Sequence, residues 1–339
     1  MTDAATARPA QLHHLLLRLG GRIPDELLTE ARDLLALGRP RPAAQIAAAA
    51  VRQGWFTPTD AERRLIAGSG AHPANPTGRT TTTERGWTFA PAVPQPGIRT
   101  PVVLDLSSTG HLDGGDAAAV AATSRIAGAV ALWRAWRAPD DLNPFVVPVF
   151  LVSTDAPGDA LPAITGTVQE ALRCAGINHP QVEVFRPDTH PSPYRSSARS
   201  RSALLWAATP PSPVTIARDF DVVDPERGPG FAADHPVLPA GPRKVGILDR
   251  LRAGDLLLAT TAHETDVLER GRGRVVPQNF RTDGAWIWTD TVTYYLEHHG
   301  LSPEPGLLRH IEGRDRLPIA VDAVSRHRAL VELFRPVAV

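Results

Sequence analysis

The chain has 339 residues, a length that predicts two or three structural units at roughly 100–200 residues per domain. It carries 36 basic and 36 acidic side chains. The resulting zero formal charge argues against nucleic-acid or anionic-membrane binding as its main role. The single cysteine, Cys174, excludes an internal disulfide and a cysteine-rich zinc site. We expect Cys174 to be buried on the apolar face of a helix.

Residues 1–67 are predicted to form a helical bundle. Leucines recur at helical spacing in AQLHHLLLRLGG, and three further segments that end at glycine resemble helices. His13 and His14 are adjacent and therefore lie on different helix faces, which is unsuitable for binding one metal ion. We expect them to be solvated or half-buried. Residues 68–99 are rich in Gly, Pro, Ser and Thr and predict a linker.

The block 100–209 predicts an α+β domain. Its segments alternate in the order β-α-β-β-α-β: strands at 101–107, 129–138, 145–154 and 181–187, and helices at 113–128 and 159–176. This order is typical of a ferredoxin-like fold, an antiparallel four-stranded sheet with both helices on one face. A basic helix at 192–202 and a strand at 203–209 follow. The helix carries Arg195, Arg199 and Arg201, which form either a phosphate site or a solvated face.

Residues 210–339 predict a smaller α+β domain. A proline-rich connection at 210–240 leads to a helix at 243–254, a strand at 255–262, a β-hairpin and three further helices. The longest apolar run of the chain, FVVPVFLV, is far shorter than the roughly 20 residues of a membrane helix. No secretory signal is recognisable, so a cytoplasmic location is expected.

The hairpin is predicted around Asp283-Gly284, a favoured two-residue turn between alternating apolar segments. In that register Phe280 pairs with Ile287 and Arg281 with Trp286. Trp286 and Trp288 then share the opposite face, which needs a cover. The core of the same protein would provide one; so would a partner protein docking on Arg281, Trp286 and Trp288, or less readily a small molecule. Turn formation and helix capping account for Asp283 and Asp290.

An alternative anion site lies in the loop DLSSTGHLDGGD, between a predicted strand and a predicted helix N-terminus. Its candidate residues are Asp105, Ser107, His111, Asp113 and Asp116. The loop lacks the lysine of a phosphate-binding P-loop and the spacing of a dinucleotide-binding motif. A plain loop in which Asp116 caps the helix is the competing interpretation.

Motifs for catalysis are incomplete. AHETD has Val267 where a zinc protease needs its second histidine, and no nucleophile-elbow motif occurs. His298 and His299 point apart on their helix, so neither they nor His310 predict a metal centre. We expect no cofactor, no metal and no catalytic residues.

The apolar strand FVVPVFLVST, the helix after it, the strand VEVF and the segment Pro193-Tyr194-Arg195 resemble SseB-type (enhanced serine sensitivity) domains over about residues 129–200. The segment from Phe280 to the end of LLRHI also resembles uncharacterised actinobacterial immunity-type proteins of polymorphic-toxin loci. Both resemblances imply a binding role and bring no catalytic residues.

These observations favour a non-enzymatic, cytoplasmic accessory or immunity-like factor of a bacterial toxin or secretion locus that binds another protein. One alternative is an enzyme or nucleotide- or phosphate-binding protein that uses the 105–116 loop. The other is a structural subunit of a larger assembly.

Overall fold

The computed structural model describes residues 3–71, 86–108, 112–139, 147–313 and 320–335, with side chains from residue 9 onward. The protein is a mixed α+β protein, which confirms the predicted class. Its residues form two compact units, Met1–Pro210 and Pro211–Val339. Among the described residues, no helix is long and apolar enough to cross a membrane.

The first unit begins with helices because leucines and alanines recur on one face of each segment. These helices are α1 (Asp3–Arg18), α2 (Asp25–Ala36), α3 (Pro40–Arg52) and α4 (Asp60–Gly68). Their inward faces form one hydrophobic core. Thr59 and Glu62 form a capping box at the start of α4, satisfying two of its free backbone N–H groups. The predicted helices are thus present.

The rest of the first unit is a sheet with three helices. The strands are β1 (Trp87–Ala90), β2 (Leu104–Asp105), β3 (Ala129–Pro139), β4 (Val147–Thr154), β5 (Gln181–Phe185) and β6 (Ala203–Ala207). The helices are α5 (Gly114–Thr123), α6 (Leu161–Cys174) and α7 (Pro193–Ser200). Residues of α5 and α6 close a core over the apolar face of the sheet.

The strand order differs from the predicted ferredoxin-like sheet. It runs β2-β6-β3-β4-β5, with β1 also paired to β3. The last strand, β6, lies between β2 and β3, parallel to β2 and antiparallel to β3. Strands β4 and β5 are parallel neighbours because α6 carries the chain back across the sheet. The local sequence predicted the elements, but the long-range pairing of β6 sets their order.

The strand β1 corrects part of the predicted linker. Trp87–Ala90 pairs antiparallel with β3, from Trp87 opposite Pro139 to Ala90 opposite Trp136. The Trp87 indole donates to the Gly21 carbonyl at 2.8 Å. This segment is therefore part of the sheet, whereas the linker residues 72–85 lie outside the described part of the chain.

Helices α1 and α2 join the sheet of the first unit through buried polar contacts. Arg32 on α2 forms an ion pair with Glu183 on β5, at 3.2 Å, and both side chains are only 1% exposed. His13 on α1 is 2% exposed, and its Nε2 lies 2.7 Å from the Val184 carbonyl oxygen. His13 is thus more buried than its sequence position suggests. These contacts explain why the helices and the sheet form one unit, although the sequence predicted separate domains.

The second unit contains a four-stranded sheet in the order β10-β13-β14-β7 and two small hairpins, β8-β9 and β11-β12. Its strands are β7 (Thr215–Ile216), β8 (Val222–Asp224), β9 (Gly228–Gly230), β10 (Asp255–Leu258), β11 (His263–Thr265), β12 (Arg274–Pro277), β13 (Phe280–Thr282) and β14 (Trp286–Thr289). Its helices are α8 (Pro242–Ala253), α9 (Asp290–His299), α10 (Pro305–Glu312) and α11 (Ala323–Leu333), with a 3-10 turn at Arg270–Arg272.

Both faces of the four-stranded sheet are covered within the unit. Ile287 and Phe280 pack with α11 on one side. Trp288 and Trp286 pack with residues of α8, α9 and α10 on the other. The sheet is therefore an internal layer between helices.

Candidate functional site

The predicted partner surface on the hairpin is buried in the second unit. Trp288 is 2% exposed, and its indole donates to the Leu251 carbonyl at 3.2 Å. Trp286 is half-buried against His310, with the ring centres 5.9 Å apart. Both indoles lie so close to Gly254 and Gly306 that a Cβ there would clash. The internal-core interpretation is therefore correct for Trp288, which cannot anchor a partner of the folded unit.

The hairpin register also differs from the prediction. Thr282 pairs with Ile287 and Arg281 with Trp288, so four residues instead of two separate the last paired positions. The Asp283 carboxylate accepts hydrogen bonds from the backbone N–H groups of Ala285 and Trp286, which holds this wider turn. Phe280 and Ile287 remain on one face, because the shift of two residues preserves the alternation of sides.

Arg281 already forms hydrogen bonds within the second unit. Its Nε donates to Asp290 Oδ1 at 2.6 Å, and its Nη1 lies 3.1 Å from the carbonyl oxygens of both Arg252 and Gly254. These bonds fix the guanidinium between α8 and the start of α9. Arg281 is consequently a structural cross-link.

The alternative anion site is not assembled by its carboxylates. Asp105 accepts from the backbone and hydroxyl of Ser107, and Asp113 caps α5. Asp116 is buried in a bidentate ion pair with Arg134, at 2.8 and 3.1 Å. His111 lies outside the described residues. Asp113 and Asp116 line an open cleft of about 640 Å³ together with Asp25 and Glu26, and so many carboxylates disfavour an anion.

The basic helix α7 likewise uses its arginines internally. Arg195 is 3% exposed and donates to the carbonyl oxygens of Thr189 and His190. The Arg199 guanidinium lies 3.6 Å above the Trp133 ring. Arg195 therefore neither lies on a solvated face nor is free to hold phosphate.

A cavity of the second unit is lined partly by the stretch 210–240, which predicted only a connection, and partly by residues of α9 and α10. This pocket has a volume of about 310 Å³. Its polar lining includes Arg218, Asp219, Asp221, His235 and Glu304. Its apolar lining includes Phe220, Phe231, Val292, Tyr295 and Leu301. That size suits a small ligand or one side chain.

Asp219 is the distinctive group of the pocket. Its Oδ1 accepts a hydrogen bond from the Thr289 hydroxyl at 2.5 Å, the one bond its carboxyl receives among the described residues. Burial raises the pKa of Asp219, and the Thr289 bond offsets only part of that effect. The partner of this carboxyl is therefore a neutral hydroxyl.

Thr289 serves Asp219 instead of its own helix. The sequence predicts a cap at Thr289 or Asp290. Thr289 occupies the N-cap position of α9, but its side chain makes no capping bond, and Asp290 is the first residue of the helix and bonds to Asn279 and Arg281. A capping bond is worth about 1 kcal/mol. Departures from local sequence preferences, such as a cap residue that does not cap, are expected at functional sites. The missing cap bond therefore marks Asp219 as a candidate functional residue.

The other ionic groups of the pocket are paired. His235 Nδ1 lies 2.8 Å from Asp221 Oδ2, and its Nε2 lies 3.0 Å from the Ser302 carbonyl oxygen. Although burial opposes it, the bonds from the Ala232 N–H and from His235 hold the pKa of Asp221 below its ordinary value. Arg218 Nε donates to Glu304 at 3.0 Å.

Aromatic rings form the apolar wall of the pocket. Phe231 lies 5.2 Å from Phe220, 4.8 Å from Tyr295 and 4.9 Å from His235, measured between ring centres. The Tyr295 hydroxyl accepts a hydrogen bond from the Val267 N–H at 2.9 Å, and Val267 is not among the residues that line the pocket. The pocket therefore combines several aromatic rings with one carboxyl, Asp219, whose partner is a hydroxyl.

The histidines and carboxylates of the C-terminal segment do not converge on one centre. His299 pairs with Asp266 at 2.7 Å, whereas His310 pairs with Asp283 at 2.6 Å. Burial opposes ionisation of Asp266, but bonds from His299 and from backbone N–H groups lower its pKa to about 2. Over the described ranges, no group of three or more such side chains is placed to hold a metal ion.

Asp219 and its neighbours were missed because RDFDVVD stands in the proline-rich stretch 210–240, where its alternation is too short to predict a strand. The one available signal is the alternation of Asp219 and Asp221 with Phe220 and Val222, which places two carboxyls beside apolar groups. Compared with family models, curated proteins and solved structures, the chain finds no match.

Proposed function

We propose that the protein is a non-enzymatic binding protein whose second unit takes up a positively charged group in the Asp219 pocket. One observation carries the proposal: Asp219 lies in an aromatic-lined cavity with a neutral hydroxyl as its partner. A cation would provide the charge partner that this carboxyl lacks. It would also be attracted by the faces of aromatic rings.

The charges of the pocket favour a cation over an anion. Arg218 is paired with Glu304, and His235 is paired with Asp221. Among the described residues, Asp219 is the acidic group of the pocket without an ion pair. An anion placed there would meet an unfavourable field at short range, because a partly buried pair is weakly screened.

The hydrogen bonds of the pocket favour binding over catalysis. Both ring nitrogens of His235 already have acceptors, and the Thr289 hydroxyl donates its hydrogen bond to Asp219. A general base needs a free acceptor within reach of the substrate. His235 and Thr289 are thus occupied in holding the pocket. Asp219 keeps an acceptor oxygen, and we assign it to holding the cation because His235 and Thr289 are not free to act with it.

This proposal keeps the binding role implied by the resemblance to SseB-type and immunity-type proteins, but moves it from the tryptophan face to the pocket. A protein partner and a toxin or secretion locus remain part of the proposal through that resemblance alone. Charge complementarity supplies the physical support.

We expect Asp219→Asn to weaken binding of n-butylammonium by about tenfold or more, because hydrogen bonds to charged groups contribute about 1.5–3 kcal/mol. Asparagine has the same shape and still offers an oxygen to Thr289. Isothermal titration calorimetry on the whole chain measures the change.

The matched control is Asp234→Asn, which removes an exposed carboxyl from the same unit. It should leave the affinity unchanged, and uncharged n-butanol should bind far more weakly than the amine. Equal amine affinity of wild type and Asp219→Asn would refute the assignment of Asp219.

A further inference from the structure

We propose that the cation is presented by a polypeptide: a lysine or arginine side chain enters the Asp219 pocket while its apolar neighbours cover an exposed rim. The inference rests on the proposed function and deepens it. We assign this rim to three exposed valines that follow cavity-lining residues in the sequence: Val222 and Val223 after Asp221, and Val237 after Pro236. They are 53%, 75% and 62% exposed.

The hairpin β8-β9 brings two of the valines to the pocket. It leaves the pocket wall at Asp221 and returns to it at Phe231, since both residues line the cavity. The hairpin is held at its base by the bond from Asp221 N–H to the Gly230 carbonyl, 3.1 Å long. At its tip, Asp224 accepts from the backbone N–H groups of Glu226 and Arg227. Val222 and Val223 are thus held on a strand of this hairpin.

Val237 reaches the rim from another segment. It forms an antiparallel bridge with Leu301, and Leu301 lines the pocket. The backbone on either side is fixed, because Leu238 N–H donates to Gly300 and Ser302 N–H donates to Pro236. The exposed valine is therefore anchored next to the cavity wall.

Size and chemistry together select the occupant. A cavity of about 310 Å³ accommodates one long side chain. Val222 and Val223 belong to the hairpin beyond the residues that line this cavity, so a small amine inside it would leave them in water. A basic side chain carried on a polypeptide can fill the pocket while its neighbours cover Val237 and whichever of Val222 and Val223 lies on the same side, because successive side chains of a strand point to opposite faces. Apolar surface that a partner removes from water contributes about 25 cal/mol per Å².

The test uses two five-residue peptides with a central lysine or arginine, flanked by valines and ended by serines. Nα-acetyl-lysine amide and Nα-acetyl-arginine amide are the small probes. We expect at least one peptide to bind the whole chain about tenfold more tightly than its small probe. A peptide with a central glutamate should not bind. Fluorescence anisotropy in competition with a labelled peptide gives the affinities.

Two variants separate the rim from the pocket. The double substitution Val222→Ser and Val223→Ser should abolish the peptide's advantage and leave the affinity of the small probe unchanged. Val245→Ser, which alters an exposed valine of α8 outside the rim, should change neither. Asp219→Asn should weaken both ligands.

Each negative outcome has its own meaning. If the small probes bind and the peptides bind no better, or if the valine substitutions leave peptide affinity intact, the polypeptide inference is wrong and the pocket takes a small molecule. If none of the lysine and arginine probes, small or peptide, binds the wild-type chain, the proposed function itself is overturned.

Discussion

Replacing Arg32 by methionine should lower the free energy of unfolding of the first unit by about 3–5 kcal/mol. Arg32 and Glu183 form an ion pair whose side chains are each 1% exposed. Burial lowers the pKa of Arg32 and raises that of Glu183, so each charge depends on the other. Removing the guanidinium leaves a buried carboxylate without its partner. Hydrogen exchange in a urea series, read on peptides from α2 and β5, measures the loss.

The double variant Arg32→Met with Glu183→Leu is the control. Replacing both members of a buried pair by apolar side chains of similar volume is often neutral or stabilising, so it should recover most of the lost stability. A loss below about 1 kcal/mol in the single variant would contradict this account of how α2 is held to the sheet.

Acid should destabilise the first unit through His13, by about 3 kcal/mol between pH 6.5 and pH 4. Burial holds the imidazole neutral and lowers its pKa from 6.5 to about 3, with Arg32, His14 and Arg195 adding unfavourable positive charge. Between these two values the unfolded chain binds more protons than the folded chain. The contribution is therefore complete above pH 6.5 and is lost as the pH falls, at up to about 1.4 kcal/mol per pH unit.

His13→Gln separates this effect from the titration of the carboxylates. Glutamine can still donate to the Val184 carbonyl, but it does not titrate. Urea unfolding at a series of pH values should show a shallower decline for the variant over pH 4–6.5. Parallel curves for the two proteins would mean that His13 is not the group that titrates.

Much of the local structure could be predicted from the sequence because it depends on neighbouring residues. The spacing of Val292, Tyr295, Leu296 and His299 predicts the buried face of α9. The first three are 6%, 2% and 0% exposed, and the His299 side chain is 10% exposed. Gly300 ends that helix in the left-handed conformation, with φ +71°, as its position predicts.

The arrangement of the sheets could not be predicted, because it depends on contacts distant in sequence. The four residues of β1 are too few to show a period and become a strand only by pairing with β3. Cys174 lies on the apolar stripe of α6 by spacing, yet it is exposed because α6 ends at that residue.

The candidate site was missed for a related reason. Alternation places Trp286 and Trp288 on one face of a strand, but it does not tell whether a helix or a partner covers that face. Asp219 is recognisable as a candidate site residue through its hydrogen bond with Thr289, which lies 70 positions away and does not cap α9. Sequence separation hides such a pair, and only the fold brings it together.

The central claim is that the Asp219 carboxyl is a receptor for a cation, and its own titration tests this most directly. Carbon-13 NMR of the Asp219 carboxyl in the whole chain would give its pKa without and with saturating n-butylammonium. Burial raises this pKa in the free protein. A cation bound at the carboxylate must lower it again, and amine affinity must rise with pH over the same range. A pKa that is unchanged by saturating amine would contradict the claim.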